Sequence, residues 1–165
     1  MSVTTEIREQ VQDLLFEEGA CLDQQRWHDW LELFSPECEY WVPAWKGPFE
    51  TTNDPDGEVS LIYYSDRVGL EERIWRLESS SSPAHRTIPR TSHSVNNIRI
   101  SDVLPGQLRV EATWRVDFYE QKQAGLCFGY YDYLLEKLES QWIIAKKKTT
   151  LLNDCIPSYV DIYQL

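Results

Sequence analysis

At 165 residues, 42% of them hydrophobic and 13% aromatic, the chain has enough apolar material for one domain with a real core, residues 1–165, and too little for two. A formal net charge of −11 and a pI near 4.7 argue against a nucleic-acid partner, whose phosphates need a basic surface. No run is long enough to cross a bilayer, no apolar signal segment opens the chain, and Cys21, Cys38, Cys127 and Cys155 show no short spacing, so we expect a cytoplasmic protein with reduced, packed thiols.

In chain order, Ile7, Val11, Leu14, Leu15, Cys21 and Leu22 fall at helical spacing, opposite Glu6, Arg8, Glu9, Gln12, Asp13 and Glu17, which predicts an amphipathic first helix. Asp23 is placed to cap a second, in which Trp27, Trp30, Leu31 and Phe34 form an apolar stripe and Ser35-Pro36 is the stop. Glu39 to Pro43 reads as a short β segment. Ala44 to Glu58 is a loop marked by Gly47-Pro48 and Asp54-Pro55-Asp56-Gly57. Val59 to Tyr64 is apolar and fits strand or helix. Ser65-Asp66 offers a cap for a third helix through Leu77, with Leu70, Ile74 and Leu77 on one face. Ser79 to Arg90 is a polar loop containing the one low-complexity patch, Ser79 to Ser82, and Ser92 to Ile100 is a further β segment.

The strongest pattern follows the Pro105-Gly106 turn. Leu108, Val110, Ala112, Trp114, Val116 and Phe118 alternate with Arg109, Glu111, Thr113, Arg115, Asp117 and Tyr119, the period of two of a strand with one buried face. After a polar break at Gln121 to Ala124, Leu126 to Lys137 is apolar on both faces, as a more central strand would be. Trp142 to Leu152 follows the Glu139-Ser140 turn and completes a three-stranded meander. Helices followed by a long curved antiparallel sheet make an α+β fold of the cystatin-like or NTF2-like cone type, with the N-terminal helices packed on the sheet. Such a cone either holds a pocket or is filled by its own side chains.

LDQQRWHDWLELF and YWVP (Leu22 to Phe34, Tyr40 to Pro43), TNDPDGEVSLIYYSDRVGLEERIWRL (Thr52 to Leu77) and PRTSHSVNNIRI (Pro89 to Ile100) resemble the small, or β, subunit of aromatic-ring-hydroxylating dioxygenases. The T-x-D-P-x-x-E, S-L-I-Y-Y and G-L-E-x-R runs are most similar to the branch acting on aryl carboxylates such as benzoate, toluate or anthranilate. The resemblance implies a structural, non-catalytic subunit for the breakdown of aromatic compounds. Its expected partner is a large α subunit carrying a Rieske [2Fe–2S] cluster and a mononuclear iron, in an α3β3 hexamer served indirectly by a reductase or ferredoxin.

The residues agree on separate grounds. A Rieske centre needs paired Cys and His, and no Cys here lies near His28, His85 or His93 in that way. Nor do three histidines, of which only His85 and His93 flank one loop, make a convincing iron site. Asp23, His28, Asp132 and Tyr40 are the groups a stand-alone NTF2-like isomerase or dehydratase would use as base and polarising acid. No pair of them is fixed by spacing, so Asp23 is read as a helix cap and His28 as a surface group. Catalytic, cofactor-binding and metal residues are therefore expected to be none.

Arg90, His93, Asn96 and Asn97 form a polar cluster read as tying a strand end to a loop. Ser65, Asp66, Arg67, Glu71, Glu72 and Arg73 mix both signs, as a solvated helix face or an inter-subunit contact would. Lys146 and Lys148 share one face and Lys147 the other, where they are offered to acidic groups of a partner. Trp41, Trp45, Tyr63 and Tyr64, lying in or beside loops, are candidate contact aromatics. The apolar C-terminal Ile156 to Leu165 is expected to dock on its own sheet or on a neighbour.

Overall fold

The computed structural model describes residues 3–79, 88–153 and 160–165. His85, Cys155, the serine patch from residue 80 onward, the 80–87 part of the polar loop and residues 156–159 of the C-terminal segment lie outside the described residues.

Helix α1, Thr5–Asp23, opens where the Thr4 hydroxyl accepts the Ile7 amide at 3.2 Å, and it buries Val11, Leu14, Leu15, Cys21 and Leu22. Asp23 closes this helix and does not cap the next. Gln25 takes a left-handed φ of 56°, and α2, Trp27–Glu32, starts at Arg26 without a side-chain cap. The Asp23 carboxylate is engaged across the fold instead, by donors on β3. The second helix is also shorter than its apolar stripe predicts. Phe34 begins strand β1, Phe34–Pro43, because Leu33 and Phe34 are captured by β6: Phe34 pairs with Ile144, and the Ile144 amide donates to the Leu33 carbonyl at 2.8 Å. Pro36, with no amide hydrogen to offer, sits in the irregular stretch between Phe34 and Glu39.

Strand β2, Ser60–Tyr64, resolves the apolar run after the loop. Helix α3, Arg67–Glu78, is capped by the Asp66 carboxylate, which accepts the Val68 and Gly69 amides, and it buries Leu70 and Ile74. Strands β3, Arg90–Leu104, β4, Gln107–Glu120, β5, Gln123–Leu138, and β6, Gln141–Leu151, complete one six-stranded sheet in the order β2-β1-β6-β5-β4-β3. The meander β4-β5-β6 is antiparallel as expected, but β1 runs parallel to β6, so the sheet is mixed. The β4–β5 turn is only Gln121 and Lys122, both left-handed at φ 50° and 65°, the geometry that matches the twist of a two-residue hairpin.

The helices cover one face. Against them lie Leu108, Val110, Trp114 and Val116 of β4, Tyr131, Tyr133 and Leu135 of β5, and Phe34, Tyr40 and Val42 of β1, all buried. Trp30 meets Phe34 and Tyr40 edge-on at 4.8 and 6.1 Å, while Trp114 stacks on Tyr131 at 5.2 Å. The last residues dock on their own chain. A 3-10 turn, Ile162–Gln164, buries Ile162, Tyr163 and Leu165, and Arg73 of α3 grips the Asp161 carboxylate.

Candidate functional site

Helix α1 carries two carboxylates that are engaged by other elements of the fold, Glu18 and Asp23. Glu18 falls on the buried stripe four residues from both Leu14 and Leu22. It accepts Lys147 Nζ at 2.6 Å and the Tyr133 hydroxyl at 2.7 Å. Lys147 is fully buried on the inward face of β6, with Nζ 4.3 Å from the Tyr131 ring centre and 5.6 and 5.7 Å from those of Tyr133 and Tyr40. Burial draws the lysine below its ordinary pKa, and the Glu18 charge opposes that pull. The three phenols, Tyr40, Tyr131 and Tyr133, are pushed well up by burial and by the Glu18 charge. The result is a closed ion pair inside an aromatic cage, not a reactive amine. Lys147 thus meets an acid of its own chain, contrary to the expectation of a partner. Lys146 lies 3.8 Å from Glu39 and Lys148 over the Trp41 ring, on the opposite face.

The second carboxylate stands at the far end of α1. Asp23 accepts the His93 backbone amide at 2.9 Å, the Thr91 hydroxyl at 2.8 Å and His93 Nδ1 at 2.5 Å. Burial works against this carboxylate's charge, but the His93 and Thr91 donors prevail and hold it below its ordinary value. With Nδ1 facing a carboxylate, the ring presents Nε2 to the interior. Among the described residues Nε2 has no hydrogen-bond partner, and neither do Tyr40 Oη, Trp114 Nε1 or Thr149 Oγ1.

The four groups weighed for pocket chemistry do not converge. Asp132 is on the outer face of the sheet, held by two hydrogen bonds from Arg109 at 3.0 and 2.7 Å. His28 is exposed and pairs with Glu78 at 3.0 Å. Tyr40 is fully buried on β1, and Asp23, at the end of α1, is only partly buried and is held by Thr91 and His93. Of the Arg90–Asn97 cluster only His93 points inward. Asn97, at φ 53°, donates to Thr113 at 3.0 Å and fixes a bulge, and Arg90 stacks over Tyr119. Arg67 and Arg73 are committed within the chain, to Glu71 and Asp161. Among the described residues no three His, Cys, Asp or Glu side chains gather as a metal set. Burial raises the Cys21 thiol to about 12 and those of Cys38 and Cys127 to about 11, so these three are inert packing groups.

The aromatics singled out as contact candidates are mostly used internally. Trp41 is buried and donates to Ser60, Trp45 donates to the Leu151 carbonyl, and Tyr63 to Glu39. The outer face of the sheet also carries exposed large side chains. Leu126, Phe128 and Tyr130 of β5 are exposed in a row on an interior strand, flanked by the self-neutralised pairs Arg109–Asp132, Arg115–Asp117 and Arg99–Glu111. A depression of about 510 Å³ beside Tyr130 is lined by Arg99, Thr113, Asp132 and Lys148. Alternation in the sequence places these residues outward; it does not say that nothing of this chain covers them.

Comparison with known proteins gives one family. The model described as "Ring hydroxylating beta subunit" matches residues 17–158. The chain is 38% identical over 151 residues, 92% of each chain, to the 2-halobenzoate 1,2-dioxygenase small subunit of Burkholderia cepacia. It is similar to the crystal structure of the beta subunit of the benzoate 1,2-dioxygenase from Burkholderia mallei, with TM-score 0.81 and 27% identity, covering 100% of this chain and 99% of that one. It also matches an NTF2-like protein with a cystatin-like fold from Novosphingobium aromaticivorans at TM-score 0.62 and 15% identity, covering 90% and 83% of the two chains, a likeness of fold alone.

Proposed function

Because the chain belongs to the family of ring-hydroxylating beta subunits, we propose that it is the non-catalytic β subunit of the terminal oxygenase of an aryl-carboxylate dioxygenase. It acts as one α+β domain that supports a large α subunit in an α3β3 hexamer. The Rieske [2Fe–2S] cluster and the mononuclear iron belong to that partner, electrons reach the partner from a reductase or ferredoxin, and the assembly works in the cytoplasm. No residue of this chain is assigned to catalysis, cofactor or metal.

The observation that carries this reading is the end-to-end likeness to a halobenzoate dioxygenase small subunit, 92% of both chains. The geometry supports it twice. The inward polar groups include a closed ion pair, and the outward face exposes Leu126, Phe128 and Tyr130 on an interior strand, a surface suited to burial by another subunit. Among the described residues, the Asp23–His93 pair, whose Nε2 has no hydrogen-bond partner there, is the feature that a stand-alone isomerase or dehydratase would use.

Size-exclusion chromatography with iron analysis separates the two. Iron and ring hydroxylation are expected only when this chain co-elutes with a Rieske large subunit. A chain that stays separate from such subunits, or turns over a carbonyl substrate alone, overturns the assembly reading.

A further inference from the structure

Helices α2 and α3 lie side by side, and their outward flanks enclose a groove of about 310 Å³ lined by His28, Leu31 and Glu32 of α2 and by Glu71, Ile74, Trp75 and Glu78 of α3. Its floor is apolar: Leu31 and Ile74 are 6% and 1% exposed. Its wall is Trp75, which is 68% exposed although it neighbours the fully packed Ile74. Three carboxylates edge the groove, and among the described residues no Lys or Arg lines it. Glu71 is touched from one side by Arg67 at 3.0 Å, and Glu78 by the exposed His28 at 3.0 Å. Glu71, Trp75 and Glu78 are spaced four and three residues apart, so they stand in one line on the helix.

This is the complement of a planar cation. A guanidinium stacks on a Trp face, and its fork donates to one carboxylate at each edge while the methylene stem covers an apolar floor. A lysine ammonium matches the charge but neither the plane nor the fork. We propose that this groove receives an arginine side chain of the large subunit, resting on the assembly reading above. A second copy of this chain is the poorer occupant, since each copy carries a net charge of −11.

The test is a titration of the purified large subunit with wild-type chain, Trp75→Ala, and Glu71→Gln with Glu78→Gln, at low and high salt. The replaced side chains are all substantially exposed, so melting curves should match the wild type. Each variant is expected to weaken binding at least tenfold at low salt, and the carboxamide variant to lose most of the salt dependence. Unchanged affinity in both variants, with wild type bound, overturns the groove and leaves the assembly reading intact. Loss of self-association by the isolated chain, with large-subunit affinity unchanged, assigns the groove to a second copy and also overturns the proposal. A wild-type chain that does not bind the large subunit overturns both.

Discussion

Lys147 Nζ and Glu18 Oε1 are 2.6 Å apart with neither side chain reaching solvent, and the pair joins β6 to α1 through the centre of the cone. Leaving either charge alone there is costly, because its desolvation is no longer offset. Glu18→Leu or Lys147→Met is expected to lower the unfolding free energy by about 3–5 kcal/mol. The double change Glu18→Leu with Lys147→Met should be far milder than the sum, since it removes both charges together. Urea unfolding of the four proteins reads this directly; additive losses would show that the ion pair is not what the two residues share.

Asp23 gives the acid limb of the stability curve a definite shape. Its carboxyl is lower in the folded chain than its ordinary 3.8. The folded state therefore binds fewer protons than the unfolded state in the window below that value. Stability from this group is fully present above pH 3.8 and is lost as pH falls through the folded value. Asp23→Asn is expected to cost about 2 kcal/mol at neutral pH, the scale of hydrogen bonds to a charged acceptor. The gap to wild type should close on acidification. A gap that stays constant from pH 7 to pH 3 would remove the ionised carboxylate from the account.

Removal of residues 160–165 takes Ile162, Tyr163 and Leu165 out of the core and leaves Arg73 without Asp161. Full burial of such side chains is worth about 1.5–3 kcal/mol each, so the shortened chain is expected to be poorly soluble or to melt at least 10 °C lower, at roughly 2–4 °C per kcal/mol for a chain of this size. Differential scanning calorimetry of the soluble fraction, with expression yield, decides it.

On the outer face, Phe128→Asp and Tyr130→Asp should leave the melting temperature of the isolated chain within a few degrees, because both side chains are already exposed. The same changes should abolish co-elution with a large subunit. A variant that still co-elutes with the large subunit at the wild-type size would mean that this row lies outside the assembly contacts.

Much of this structure was legible in periodicity. The strand from Leu108 to Phe118, the third helix with its Asp66 cap and the meander are local patterns, and local patterns survive in the fold. What failed was decided at a distance. Asp23 looks like a cap because it precedes an apolar stripe, and only β3 passing close by recruits its carboxylate. Phe34 continues a helical stripe until β6 claims its backbone. Glu18 and Lys147 each carried a readable sign, a charge at an apolar position of its element; taken together, two opposite misfits point to a buried pair. The α2–α3 groove had no such sign, since Glu71, Glu72 and Arg73 read equally well as a solvated face.

The parallel seat of β1 beside β6 sets the order in which this chain is able to fold. Glu39 and Lys146 are partners across the sheet although 107 positions separate them in the chain. A hairpin closes quickly on its neighbour, whereas this contact bears the entropy of closing a loop that takes in about two thirds of the chain. On the ribosome, β1 emerges early and must wait for the last strand to be made. Until then the aromatic lining of Trp30, Phe34 and Tyr40 has only the short β1–β2 pairing behind it. A binding partner already present, or a chaperone, has its window of action there, before the final strand arrives.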